Sequence, residues 1–148
     1  MLRMPSAFTI STDSSRLNIG LIHDFLSNRS YWAPGISREL VERSIRNSLC
    51  FGVYNADGQQ VAFARIISDK ATFAYLCDVF VLEEYRGQGL SKLLMRHISE
   101  HPELQGLRRW MLGTRDAHSL YAEFGFTPLA SPQRFMENAK LDPYRNQS

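Results

Sequence analysis

The stretch Asp78-Val79-Phe80-Val81-Leu82-Glu83-Glu84-Tyr85-Arg86-Gly87-Gln88-Gly89-Leu90-Ser91 joins an apolar run to two glycines and then to the start of a helical pattern. The apolar run begins near Thr72 and carries apolar residues at consecutive positions, as a strand covered on both faces does. Beyond the glycines, Leu90, Leu93, Leu94, His97 and Ile98 fall on one side of a helix that Pro102 ends. Strand, glycines and helix in this order leave backbone N–H groups free at the positive end of a helix dipole, with little side chain in the way. Such a turn can hold phosphate oxygens. A tight turn that needs glycine only for its dihedrals, and binds nothing, has the same composition. The stretch contains no Gly-x-Gly-x-x-Gly, and Ser91-Lys92 has neither the residue order nor the spacing of a Walker loop.

Upstream, 49–54 and 60–67 read as strands flanking Asn55-Ala56-Asp57-Gly58, whose Asp-Gly is a favoured hairpin turn. Two amphipathic helices precede them. Leu17, Leu21, Ile22, Phe25 and Leu26 recur at helical spacing after the capping cluster 11–15, and Ser37 caps a second helix that carries Leu40, Val41 and Ile45 inward. Pro34 and Gly35 close the break between the two helices, and Phe8-Thr9-Ile10 is a short β-type run before them. Downstream, 110–114 predicts a strand, 117–124 a short helix closed by Gly125, and 126–138 one or two further strands. The order predicts a mixed α/β sheet containing one parallel β-α-β crossover.

With 148 residues and no repeat, charge run or low-complexity linker, the chain reads as one domain spanning 1–148. Hydrophobic residues at 44% and charged residues at 22% allow an ordinary single core. A net charge of +2 is too small for an electrostatic nucleic-acid footprint, so no nucleic-acid partner is expected. Cys50 and Cys77 both sit in apolar runs, which suits reduced thiols. His23, His97, His101 and His118 show no metal-ligand spacing, and no metal is expected. Residues 1–5 lead into no apolar signal core, and no stretch approaches the roughly 20 residues that span a bilayer. A cytoplasmic protein without a membrane partner is the expectation.

The glycine stretch resembles motif A of the Gcn5-related N-acetyltransferase (GNAT) superfamily. Arg86 and Gly89 match its pattern of Arg or Gln, two residues, Gly, one residue, then Gly or Ala, and Ser91 takes the place of the final small residue. Ala117-His118-Ser119-Leu120-Tyr121-Ala122-Glu123-Phe124-Gly125-Phe126 resembles motif B, in which a Leu-Tyr pair precedes a Gly-Phe. Thr114 stands where many members carry Asn. The specific resemblance spans about 73–126, and the amino-terminal half is similar in architecture alone.

This resemblance implies a mostly antiparallel sheet of about six to seven strands, flanked by about four helices, in which two parallel strands splay to admit a pantetheine arm. It implies acetyl-CoA as co-substrate. Phe80 and Val81 would pair with the pantetheine through their backbone, and Arg86, Gly87, Gln88, Gly89, Leu90 and Ser91 would meet the diphosphate. Tyr121 matches the family tyrosine that serves the leaving thiolate, although an aromatic between Leu120 and Phe124 could equally be core. Asp78 is the one carboxylate inside a long apolar strand, where an ionised group is costly unless paired or facing a wet cleft. It is a candidate base, and the alternative is a partner such as Arg65. Members often carry a bulge in this strand, which would change the face Asp78 meets. Tyr31 and Trp32, between the first two helices, are candidates to bind the acceptor by stacking or cation–π contact.

The activity so implied is transfer of an acetyl group from acetyl-CoA to a primary amine, by direct attack in a ternary complex. The acceptor would be a small-molecule amine or a protein amine, and a homodimer is compatible with the family. A non-catalytic acyl-CoA binding or sensor module would share the glycine stretch. It would have no need of Tyr121.

Overall fold

The computed structural model describes residues 7–144, so the stretch 1–5 read for a signal core lies outside them. The elements are β1 (Thr9–Ser11), α1 (Ile19–Asn28), α2 (Arg38–Arg46), β2 (Leu49–Tyr54), β3 (Gln60–Ser68), β4 (Phe73–Val81), α3 (Leu90–Glu100), β5 (Arg109–Leu112) and α4 (His118–Ala122). They form one five-stranded sheet in the order β1-β2-β3-β4-β5. Its pairings are antiparallel until β4 meets β5, which is parallel and reached through α3. Among the described residues no helix is long and apolar enough to cross a membrane.

Local chemistry explains where the elements begin. Asn18, not the 11–15 cluster, caps α1, its Oδ1 accepting the Leu21 N–H at 3.0 Å. The cluster instead builds a short 3-10 turn on Asp13. Ser37 caps α2 as its sequence predicts, accepting from the Leu40 N–H at 3.2 Å. In the β2–β3 hairpin, Gly58 takes the left-handed conformation and Asn55 Oδ1 accepts the amides of Asp57 and Gln59.

Helices cover both faces of the central strands. On one face α3 buries Leu90, Leu93, Leu94, Met95 and Ile98 against Phe51, Ala64, Ile66 and Leu76. On the other, α1 and α2 bury Ile22, Phe25, Leu26, Val41 and Ile45 against Cys50, Phe63 and Phe80. Phe25 stacks on Phe80 with centroids 4.0 Å apart, which contributes about 1 kcal/mol beyond the area it buries. Cover on both sides is why β2 and β3 read as continuous apolar runs.

Among the described residues the expected six to seven strands become five. The segment after Phe126 is exposed and carries a 3-10 turn, Pro132–Arg134, in place of the predicted strands. Pro128 and Pro132 lack the N–H that a sheet ladder needs.

Candidate active site

The parallel pairing of β4 with β5 covers only Phe73 to Leu76 against Arg109 to Leu112. From Cys77 onward β4 has no strand on that side among the described residues. The cause lies inside β4. Arg65 pairs with Cys77 and Phe63 with Phe80, so Asp78 and Val79 together oppose Ala64 alone. This is a β-bulge, and Asp78 sits in it at φ 52°. The bulge lets Cys77 and Asp78 both face α1 and α2, whereas regular alternation would send one of them to the other side. A cleft of about 200 Å³ occupies the fork, lined among others by Tyr31, Trp32, Asp78, Val79, Thr114 and Tyr121. All four residues expected in catalysis and acceptor binding therefore border one cavity.

The glycine turn lies past the carboxyl end of β4. Gly87 and Gly89 both have φ near 79°, and a Cβ on either would point into open space. Gly89 is the N-cap of α3, and no side chain caps that helix. The turn thus presents an uncovered helix start whose first amides have no side-chain acceptor. The expected members of this group are unequal. The side chain of Leu90 is buried in the α3 core, so only its amide can serve a ligand. Arg86 turns back, its Nε donating to the Val81 carbonyl at 3.2 Å, and so braces the turn against the strand end. Phe80 and Val81 are likewise buried, which leaves their backbone as the usable part.

Asp78 has found the partner that its burial demands. Its Oδ2 accepts from Arg65 Nε at 2.8 Å and its Oδ1 from Trp32 Nε1 at 2.7 Å. The two ion-pair side chains are only 16% and 10% exposed. Arg65 Nη1 also donates to Ser48 Oγ at 3.0 Å. Burial works against the Arg65 charge, but the Asp78 carboxylate prevails and holds the guanidinium above its ordinary range. Beside them, burial pushes the thiols of Cys50 and Cys77 up to about 12, so both remain protonated. Asp78 is therefore a locked acceptor at the rim of the cleft.

Tyr121 comes from α4, which Thr114 holds in place by accepting the Ala117 N–H at 3.1 Å. Thr114 thus fixes the turn that leads into α4, whose N-cap is Ala117, through a local side-chain to backbone bond that its hydroxyl suits. Burial pushes the Tyr121 phenol up to about 12, and Tyr31 and Asp116 add to the shift. Phe126 meets the Tyr121 ring edge-on at 6.0 Å. Tyr31 reaches across from the α1–α2 connector, its hydroxyl accepting the Arg115 N–H at 2.9 Å. The Arg115 guanidinium lies over the same ring at 4.0 Å. Trp32 packs edge-on against Tyr31, and the pair roofs the fork.

Four contributors were not singled out from the sequence: Tyr75, Cys77, Ile67 and Tyr144. They line a second chamber of about 600 Å³, on the α2 side of Asp78, together with Trp32 and Arg65. The alternation of β4 puts Tyr75 and Cys77 on one face, a signal the sequence does hold, whereas nothing local brings Tyr144 there. His23 has a structural contact, its Nε2 lying 3.0 Å from the Ile36 carbonyl. Among the described residues no group of His, Cys, Asp and Glu is placed to hold a metal ion.

The acetyltransferase (GNAT) domain, as a family pattern, matches residues 46–128. A relative from Gibberella zeae, which bears a provisional acetyltransferase name, is 32% identical over 137 residues, covering 78% of this chain and 76% of that protein. The crystal structure of a GNAT-family protein from Xanthomonas campestris pv. campestris superposes with a TM-score of 0.91 at 58% identity, over 93% of this chain and 96% of that one. A GNAT family acetyltransferase from Elizabethkingia anophelis, solved with acetyl-CoA bound, shares the fold at a TM-score of 0.62 and 13% identity, over 92% of this chain and 90% of that one. Splayed strands, an open glycine turn and a buried tyrosine between them agree with these likenesses, and the chain belongs to the GNAT family of acetyltransferases.

Proposed function

We propose that this protein transfers the acetyl group of acetyl-CoA to a primary amine, by direct attack while both substrates are bound. The observation that carries this reading is the meeting of Tyr121, Asp78 and the unpaired edge of β4 in one cleft below the glycine turn. In this reading the diphosphate rests on the amides from Arg86 to Ser91. The pantetheine runs as an extra strand along β4, with the backbone of Phe80 and Val81 as partners. The thioester then reaches the fork beside Tyr121.

The chemistry follows from the groups present. The amine must first shed a proton, because an ammonium has no lone pair. Asp78 offers that ammonium a fixed negative oxygen, and the proton leaves along it to water. The amine nitrogen then attacks the thioester carbonyl carbon, and a backbone N–H near Val81 steadies the oxygen as it gains charge. As the C–S bond breaks, the Tyr121 O–H faces the departing sulfur. A phenol held near 12 protonates a thiolate of ordinary pKa about 8.5 only uphill. Tyr121 therefore acts as a hydrogen-bond donor to the thiolate, while the newly bonded nitrogen sheds its second proton to water, from which the sulfur is protonated.

The test is a thiol-release assay with acetyl-CoA over a panel of amines, run beside a calorimetric titration with acetyl-CoA. Binding together with amine-dependent thiol release is the expected result. Binding without release on any amine would identify a sensor or binding module. No binding would remove both readings.

A further inference from the structure

The cleft at the fork and the chamber beneath α2 share Trp32, Tyr75, Cys77 and Asp78. The shared residues set the two cavities side by side, with the Trp32–Asp78 hydrogen bond at their junction. For an acceptor whose nitrogen sits at Asp78, this chamber is the adjoining space that can take the rest of its body. The chamber holds about 600 Å³, within the range of sites for small molecules.

Its lining is specific in kind. Trp32, Ile36, Leu40, Ile67, Tyr75 and Tyr144 contribute apolar and aromatic surface. Trp32, Ile67 and Tyr75 are 38%, 44% and 37% exposed, although each is large and apolar. Apart from Tyr31 at the adjoining fork, the other exposed large hydrophobics among the described residues all lie in the tail after Phe126. Apolar side chains left uncovered along one cavity mark a binding surface more often than chance exposure.

The charges restrict the occupant further. Among the described residues Asp78 is the only carboxylate in the chamber lining, against Arg43 and Arg65, and Asp116 borders the fork instead. An acceptor carrying a second or third ammonium would bring it toward these cations with no acid to meet it. Nor is either arginine free to receive a carboxylate. Arg65 is engaged by Asp78 and Ser48, and Arg43, 58% exposed at its side chain, pairs with Glu39.

We propose that the acceptor is a small primary amine bearing a single positive charge on an aromatic or apolar body, with its nitrogen at Asp78 and its body against Trp32, Tyr75 and Ile67. This assignment rests on the acetyl-transfer reading above. It excludes polyamines, aminoglycosides and free amino acids as preferred acceptors, and also a lysine presented on a polar peptide.

Two measurements test it. In the first, kcat/KM is compared for tryptamine, 2-phenylethylamine, spermidine, phenylalanine and a lysine peptide. The arylalkylamines should exceed the others at least about tenfold, the discrimination expected when one buried aromatic contact separates substrates. In the second, tryptamine and spermidine are titrated calorimetrically into the protein saturated with CoA, so that acceptor binding is read without catalysis. Tyr75→Ala should raise the KM and Kd for tryptamine about tenfold with little change in acetyl-CoA binding. Ile67→Asp, at an exposed position that tolerates a charge, should weaken tryptamine and strengthen spermidine.

A higher kcat/KM for spermidine, phenylalanine or the lysine peptide, or tighter binding of spermidine than of tryptamine, would overturn the acceptor assignment and leave acetyl transfer standing. An Ile67→Asp variant that binds tryptamine as before would overturn it too. Selective tryptamine binding with no thiol release from any amine would instead sink the transfer reading while keeping the chamber's preference.

Discussion

Tyr121 and Asp78 face the same cleft under different constraints. Burial pushes the Tyr121 phenol up to about 12, so its hydroxyl is a donor at neutral pH. Tyr121→Phe removes that donor while leaving the ring against Phe126. Single-turnover kinetics should show the acetyl-transfer rate falling about 100-fold, with the Kd for acetyl-CoA within twofold by calorimetry. Asp78 could be noticed in the sequence as the one acid in an apolar strand, and Arg65 as a candidate partner. Its contact with Trp32, 46 positions away in the chain, could not. Breaking the Arg65–Asp78 pair on one side strands a charge that is only 10% exposed. Arg65→Met should therefore cost about 3 kcal/mol in urea unfolding, and Arg65→Met with Asp78→Leu should recover at least half of it.

At the scale of elements, the glycine turn ties backbone conformation to the proposed cofactor binding. Gly89 lies at φ 79° with open space around its Cβ position, so a side chain there meets backbone strain and no clash. Gly89→Val should lower stability by about 1–2 kcal/mol and weaken acetyl-CoA at least tenfold, measured by urea melts and calorimetry. A loss of stability with full acetyl-CoA affinity would argue that the turn has no part in binding. Strand β2 supplies a contrasting case. The Tyr54 hydroxyl is buried without a hydrogen-bond partner, and a Cβ on Gly52 would approach it to 2.5 Å. Gly52→Ala should destabilise by about 2 kcal/mol through overpacking. Adding Tyr54→Phe should remove most of that cost, and Tyr54→Phe alone should be neutral or slightly stabilising, because it deletes an unsatisfied buried group. Glycine at 52 reads as an interruption of the strand in sequence. Only the ring folded over it explains why it is there.

For the molecule as a whole, alkaline pH is the informative variable. Burial raises the Cys50 and Cys77 thiols from an ordinary 9.0 to about 12, and the Tyr121 phenol from 10.0 to about 12. Each shift favours the neutral form in the fold. The stability it contributes is therefore complete below pH 9 for the thiols and below pH 10 for the phenol. It is lost progressively as the pH climbs toward 12, since the unfolded chain ionises first. The Tm followed by circular dichroism should be steady from pH 7 to 8.5 and fall steeply above pH 9. Replacing both cysteines by alanine should lower the Tm at pH 7 yet make the alkaline fall shallower. An unchanged slope would show that other groups control it.

The layered α/β plan was legible because each central strand and helix carries its own periodicity. Strand 49–54 falls where its apolar run predicts, Ser37 caps its helix, and Gly89 ends the turn from which α3 starts. The cofactor side of the candidate site is local in the same sense: strand end, glycines and helix start are contiguous, so their chemistry is written in one stretch. Where prolines removed the donors for further strands, composition alone misled, because Phe126, Leu129 and Phe135 look strand-like without them. Tertiary structure decided what depends on residues far apart. The bulge at Asp78 and Val79 arises from register against β3, the fork from the early end of β5, and the acceptor chamber from α2, β4 and Tyr144 meeting around Trp32. Short-range pattern determines elements because backbone conformation and one-sided burial are local. The contents of a cavity are set by elements packing across the sheet, and no window of sequence contains them.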